Sequence, residues 1–545
     1  MKAVRAVIDY LKLGGVQYIF GIPAGSVNAF FDELYDVNEM TPIVTKHEGA
    51  ASYMAASYAK YTNGLSVCIG SSGPGGTNFI TGAANAMREH LPILFLTGGV
   101  PVGTRGLNAS QELDVEPVYR PVTKYSVTVS NAHELLEEVA KATEIALSGV
   151  PGPVHVAMPI DVQLTEMEPV PIPPFPIRRP VEPDKDTIRK VAVEIANKES
   201  GCLFVGQGIR GSAQQVIELA ELLDWPIVKT PQAKGLIKDD HPLLLGVFGF
   251  AGNENASAFI NDNKADAILL IGTSLGETAT SNYNQNIVKD RYAVQFDFDE
   301  TVFHRKYEVD EPILGDISIS LSWLIEELKL LGFTRKSYGK KQGIANASRN
   351  EYNTQNVLLE LQDALPSSTR YTVDIGEFMS YVIHYMDVVE SDTFDINVHF
   401  GAMGSGIGSA IGAKLAEPNR PVVSITGDGC FFMHGMEVLT AKEYGLPILF
   451  VVMNNSRLGM VYHGHSLQYN RTHSRFEQQP INLSAMAEAM DIPSVRIEKM
   501  EDFHEYPVIN LLNNLHGPAI LEIDLVDNNV PPMGDRVKFL SSFGK

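Results

Sequence analysis

Ser424-Ile425-Thr426-Gly427-Asp428-Gly429-Cys430 is an apolar, β-branched run that stops on a glycine-flanked acid, and Phe450-Val451-Val452-Met453-Asn454-Asn455 is a second run that stops on amides. Between them, Glu437 to Tyr444 reads as a crossover helix. Parallel neighbours need a crossover of a dozen residues or more, so strand, helix and strand at this spacing predict a parallel βαβ unit. Ligands of open parallel sheets lie beyond the carboxyl ends of the strands, which turns Asp428 and Asn455, 27 positions apart, toward one crevice. The glycines beside Asp428 let backbone N–H groups approach phosphate oxygens. A carboxylate, an amide oxygen and a nearby carbonyl suit Mg²⁺, a hard ion usually shared with a phosphate. Gly-Asp-Gly alone is ordinary turn chemistry and so is Asn-Asn; the two at the interval of one βαβ unit carry the inference.

The same alternation extends outward. Strands are expected at Gln17–Phe20, Ser66–Ile69 and Pro92–Leu96, at Cys202–Val205 and Ala267–Ile271, and at Val422–Thr426 and Ile448–Val452. Longer helical patterns separate them. The proline run Glu168-Pro169-Val170-Pro171-Ile172-Pro173-Pro174 favours extended geometry and marks a linker, and the basic stretch from Arg335 to Gly343 marks another. The fold class is therefore α/β, with three doubly wound parallel-sheet domains at 1–165, 185–332 and 351–545, joined through 166–184 and 333–350. The first and third share a grammar of strand, glycine turn and small-residue helix.

Composition limits the function. Of 545 residues, 44% are hydrophobic and 20% charged, as in soluble globular proteins. A net charge of −22 repels nucleic acid and anionic membranes. Three scattered cysteines, Cys68, Cys202 and Cys430, form no disulfide framework, which points to a reducing, cytoplasmic setting. Charges interrupt the helical N-terminus, so it is no signal h-region, and the uncharged stretch from Tyr61 to Met87 is broken by glycines into strand, loop and helix.

With Gly-Asp-Gly and Asn-Asn in this order, the sequence resembles the thiamine diphosphate family of acetolactate synthases, pyruvate oxidases and 2-oxo acid decarboxylases. Phe20-Gly21-Ile22-Pro23-Ala24-Gly25 looks like that family's opening turn, and Lys46-His47-Glu48-Gly49-Ala50-Ala51 like the segment with its essential glutamate. Ser72-Gly73-Pro74-Gly75-Gly76-Thr77-Asn78 resembles the loop beside that glutamate, and Gly401-Ala402-Met403-Gly404 the site of the bulky residue that bends the cofactor. The resemblance implies pyrimidine-binding, middle and diphosphate-binding domains, thiamine diphosphate with Mg²⁺, and a homodimer or homotetramer. By position, it implies Asp428, Asn455 and the Arg457 carbonyl as metal ligands. Gly25, Glu48, Gly376, Met403, Gly427, Asp428, Gly429, Asn455 and Met460 are the implied cofactor contacts. Glu48, opening a helix after the strand Ile43-Val44-Thr45, would hydrogen-bond the pyrimidine and promote its imino tautomer.

The substrate side is less uniform. Gly206-Gln207-Gly208-Ile209-Arg210-Gly211 has dinucleotide-fingerprint form, with Glu221 and Asp224 in reach of a ribose, yet Gly272-Thr273-Ser274-Leu275-Gly276-Glu277-Thr278 departs from the synthases that hold FAD. FAD stays open. Gly464 stands where biosynthetic members carry an acceptor-side tryptophan, and the chain's two tryptophans, Trp225 and Trp323, lie elsewhere. His463 and His465 flank it as candidate proton donors or carboxylate ligands. Gln111 resembles a glutamine that synthases use near the reacting carbonyl. Decarboxylases of the pyruvate type carry adjacent histidines, and this chain has none, only His90 nearby. The expected activity is decarboxylation of a 2-oxo acid, with pyruvate foremost, and transfer of the acyl carbanion to an acceptor carbonyl. The alternatives are an oxidase, a decarboxylase or another carboligase on this scaffold, or a nucleotide-binding scaffold without turnover.

Overall fold

The computed structural model describes residues 1–262, 265–339, 349–505, 508, 511 and 516–533. Residues 340–348 of the second expected connection and 534–545 of the third expected domain lie outside the described residues.

Three six-stranded sheets follow one another along the chain, and every strand pairing is parallel. The first holds β1 (Tyr18–Gly21), β2 (Thr41–Val44), β3 (Ser66–Gly70), β4 (Ile93–Gly99), β5 (Tyr125–Thr128) and β6 (Val154–Pro159), in the order β2-β1-β3-β4-β6-β5. The second holds β7 (Gly201–Val205), β8 (Ile227–Lys229), β9 (Leu244–Val247), β10 (Ala267–Ile271), β11 (Tyr292–Asp297) and β12 (Glu311–Leu314), in the order β12-β11-β10-β7-β8-β9. The third holds β13 (Arg370–Val373), β14 (Phe394–Ile396), β15 (Val422–Gly427), β16 (Ile448–Asn454), β17 (Ser494–Ile497) and β18 (Ala519–Asp524), in the order β14-β13-β15-β16-β18-β17. The first and third sheets thus repeat one strand order, the structural counterpart of their shared sequence grammar. The middle sheet has the order of dinucleotide-binding folds.

Helices cover both faces, so central strands such as β10 and β16 are buried throughout and read as unbroken apolar runs. The crossover between β15 and β16 is not one helix, as expected, but two, Asp428–His434 and Glu437–Glu443, meeting near Gly435. Asp428 therefore opens a helix directly from the strand end. The proline run forms no strand or helix and folds back on the first sheet's helices, with the Phe175 ring over Gly14, its centre 5.1 Å from that of Tyr10 and tilted 37° to it.

The first and third domains meet through the Glu48–Thr62 and Ser405–Ala416 helices. Gly408 faces Ala50 and Tyr53 and Gly412 faces Met54, so the contacts advance together and the helices run in the same direction. Lys60 reaches Glu89 (2.5 Å) and Asp395 (2.8 Å) near the end of that seam, a buried ion cluster spanning both domains.

Candidate functional site

In the third sheet the strand order reverses between β13 and β15, the switch point where open sheets of this kind bind ligands. Asp374, just past β13, is fully buried and braces that point. Its Oδ1 accepts from the N–H groups of Ile375 (2.8 Å) and Gly404 (2.9 Å), and its Oδ2 from the Thr426 hydroxyl (3.0 Å). Gly404 turns with φ +84°, and a Cβ there would stand 2.7 Å from His434 Nδ1, which makes glycine necessary. The turn carries Met403 to the Gly-Asp-Gly segment: its Cε comes within 3.5 Å, and Leu458 Cδ2 within 3.2 Å, of the place a Gly429 side chain would take. Gly427 is held by the Phe378 ring, which also fills the space beside Gly376. Asp428 is 4% exposed, accepts from the Gly429 N–H (2.9 Å), and has no ion-pair partner among the described residues. Burial pushes its carboxyl up to about 6. A buried carboxylate with no cation of its own, beside an amide, fits a bound divalent ion.

Asn455 follows β16, and β15 and β16 are paired from Val422–Ile448 to Gly427–Met453, so Asp428 and Asn455 stand at adjacent strand ends. The Asn455 amide nitrogen donates to Glu377 Oε1 (2.5 Å), while its oxygen accepts from the Arg457 N–H (3.1 Å). Arg457 is buried: its guanidinium donates to Asn528 Oδ1 (3.1 Å) and the Asp527 carbonyl, and lies 4.7 Å from the Tyr462 ring centre. Glu377 escapes the reading of motifs. It opens the Glu377–Tyr385 helix, burial raises its carboxyl to about 7, and His463 Nε2 lies 3.3 Å from its Oε2. The only local signal is an acid directly after the Asp374-Ile375-Gly376 strand end.

The first-domain residues gather at that domain's own switch point. Glu48 is buried at the start of its helix, which His47 caps by accepting from the Gly49 N–H. Its Oε2 accepts from Asn78 Nδ2 (2.9 Å), and Gly75 leaves room for Oε1. Ser72 links the other pieces, its N–H donating to Ser26 Oγ beside Gly25 and its hydroxyl to the Gln111 carbonyl (2.9 Å). Gln111 is exposed and takes a positive φ of 61°.

A cavity of about 1160 Å³ opens among the three domains. Ile375, Gly401, Met460 and Gly464 form its third-domain wall, while Glu48, Gln111, Met403 and Asp428 are not among its lining residues. His463 and His465 do not share a wall. Two residues apart on the Gly459–Tyr469 helix, they point to opposite sides: His465 lines the cavity and His463 is buried against Arg457 and Glu377.

A second cavity of about 260 Å³ lies at the carboxyl ends of the middle sheet, lined by Gly206, Gly208 and Thr273, and shares Arg88, His90 and His399 with the first. The expected ribose acids are elsewhere. Glu221 and Asp224 sit at the far end of the Ala213–Leu223 helix, bound to Arg335 and to Lys336 with Tyr338. A helix following a strand runs back along the sheet, which carries its C-terminus away from the glycine turn. Gly206 and Gly208 have a packing reason of their own, since a Cβ on either would overlap Gly272.

Residues 1–118 match the family described as thiamine pyrophosphate enzyme, N-terminal TPP binding domain; 188–324 match its central domain and 374–523 its C-terminal TPP binding domain. The chain is 31% identical over 98% of its length to a probable acetolactate synthase large subunit of Methanocaldococcus jannaschii, covering 93% of that protein. It is 30% identical over 98% to an acetolactate synthase of Mycobacterium bovis, covering 90% of it. A putative thiamine pyrophosphate-containing protein of Bacillus subtilis is 27% identical over 98%, with 93% of it covered. The fold is thus that of a thiamine diphosphate-dependent enzyme, and the chain belongs to the acetolactate synthase family.

Proposed function

We propose that the chain decarboxylates pyruvate, or a close 2-oxo acid, and transfers the acyl carbanion to an acceptor carbonyl, most simply a second pyruvate to give 2-acetolactate. The observation that carries this reading is the buried Asp428, without an ion-pair partner among the described residues, next to Asn455 and Met403 at the switch point. Bound thiamine diphosphate supplies the electron sink for the carbanion. Asp428, Asn455 and the Arg457 carbonyl would hold Mg²⁺, and Gly427 and Gly429 would leave room for a diphosphate beside it. Gly376, Met460, Gly25 and Met403 would supply further contacts to the cofactor. Glu48 would hydrogen-bond the cofactor's pyrimidine ring and favour its imino tautomer. Gln111 and His465 are the polar groups offered to substrate, and His463 holds Arg457. Addition to a carbonyl is redox-neutral, so the reaction itself calls for no FAD.

The working unit in this proposal is a homodimer or homotetramer in the cytoplasm. Glu48 is tied to its own domain through Asn78, and Phe432, Met433 and Met436, just past Asp428, are exposed apolar side chains of the kind a second copy covers. Among the described residues no helix is long and apolar enough to cross a membrane. The test is an early-time assay with pyruvate, Mg²⁺ and thiamine diphosphate. Pyruvate consumed, CO₂ released and acetolactate formed should stand at about two to one to one. Acetaldehyde would replace the proposal with a decarboxylase, and acetate or acetyl phosphate with a reduced acceptor would replace it with an oxidase. A scattering mass near the 59.6 kDa of one chain, for fully active protein, would refute the oligomer.

A further inference from the structure

One buried carboxylate reaches three residues of the segment that follows β16. Glu377, whose side chain is 8% exposed, accepts from Asn455 Nδ2 at 2.5 Å, lies 3.8 Å from Arg457 Nη2 through the same oxygen, and lies 3.3 Å from His463 Nε2 through the other. The chain is shaped to admit it. Gly459, opening the helix that carries His463, has no side chain where a Cβ would stand 2.2 Å from Glu377 Cδ and 2.3 Å from Oε2. Any larger residue at 459 would expel the carboxylate.

The consequence lies in the amide of Asn455. An amide has a donor end and an acceptor end of nearly equal size, and only the oxygen end binds a cation. With its NH₂ committed to Glu377, the oxygen faces the Arg457 N–H and keeps a second lone pair for another partner. We propose that Glu377 is a positioning residue for the metal site: its carboxylate fixes which end of the Asn455 amide meets the cation. This rests on the reading of Asp428 and Asn455 as the metal's side chains. Groups that orient a ligand in this way commonly alter metal affinity by about 10- to 100-fold when removed.

The experiment measures Mn²⁺ binding by electron paramagnetic resonance at saturating thiamine diphosphate, in the wild type, Glu377→Leu, Glu377→Gln, Asn455→Ala and the Asn455→Ala/Glu377→Leu double variant. Glu377→Leu should weaken Mn²⁺ binding by at least about tenfold. Glu377→Gln, whose carbonyl oxygen still accepts from the amide, should stay within about threefold of the wild type. If Glu377 acts through Asn455, the double variant should bind Mn²⁺ no more weakly than Asn455→Ala alone. A merely structural role would instead make the two losses add. Wild-type affinity in Glu377→Leu, or additive losses in the double variant, overturns the proposal. Unchanged affinity in both Asn455→Ala and a separate Asp428→Ala control would overturn the metal reading beneath it, a distinguishable result.

Discussion

A tight backbone contact that joins packing to the site is Gly412 against Met54. A Cβ on Gly412 would stand 2.0 Å from the Met54 carbonyl oxygen, 2.8 Å from its carbon and 3.0 Å from its Cα. All three are backbone atoms of a buried helix, so no rotamer change relieves the overlap. Gly412→Ala therefore forces the Ser405–Ala416 and Glu48–Thr62 helices apart by about 1 Å, given that packed atoms need separations above 3 Å. Overpacking of this kind costs about 1–3 kcal/mol, and a contact with rigid backbone belongs at the upper end. Alanine recovers about 1 kcal/mol over glycine inside a helix, which leaves a net loss of about 2 kcal/mol.

Urea unfolding measures it, as a lower midpoint at unchanged slope. Gly464→Ala is the matched control: it makes the same change inside a helix, where among the described residues the new Cβ meets Met533 Cε at 3.8 Å, and stability should hold or rise slightly. Because the displaced helix starts at Glu48, a shift of about 1 Å should also lower kcat on the order of 100-fold. Equal stability of the two variants would refute the packing argument. A stability loss with wild-type kcat would refute its link to the site.

Glu48→Gln should bind thiamine diphosphate nearly as the wild type does while hydrogen–deuterium exchange at the thiazolium C2 slows severely; exchange at the wild-type rate would assign the proton to another group. Gly464→Trp should fill the acceptor side of the cavity, leaving pyruvate turnover in place and lowering kcat/KM for bulkier acceptors, as measured by competition between acceptors. His155, buried between the Thr97 and Ser126 hydroxyls at 2.9 Å each and stacked on Tyr119, is held neutral by burial down to about 3. The unfolded chain takes up that proton near its ordinary value, so stability is lost as pH falls through about 6.5. Between pH 7 and pH 5 the loss from this residue is about 2 kcal/mol, and urea midpoints for His155→Gln should show that much less acid sensitivity.

The sequence discloses what is local and periodic. Gly427-Asp428-Gly429 and Asn455 could be read because each closes an apolar run and the crossover length fixes them as neighbours. Glu377 could not, because its partners lie 78 residues or more downstream and meet it only through sheet order. The histidines were half legible: helical periodicity alone separates His463 from His465, and the glycine between them distracts from it. Glu221 and Asp224 are near the glycine turn along the chain but not in space, because the helix carrying them runs away from the crevice.

The shared strand order of the first and third sheets explains one more feature, the acids that belong to neither metal nor substrate. The Glu48–Thr62 and Ser405–Ala416 helices run in the same direction, so two partially positive N-termini lie side by side in the protein interior, where like charges repel strongly. Each end meets a buried carboxylate. Asp374 accepts from the Gly404 N–H ahead of one helix, and Glu437 accepts from the Lys46 and His47 N–H groups (2.9 Å each) ahead of the other. Charge-assisted bonds of this type are about twice as strong as neutral ones and set opposite charge at each terminus. Asp374 and Glu437 thereby let the Ser405–Ala416 and Glu48–Thr62 helices start side by side, with Met403 just ahead of one and Glu48 opening the other.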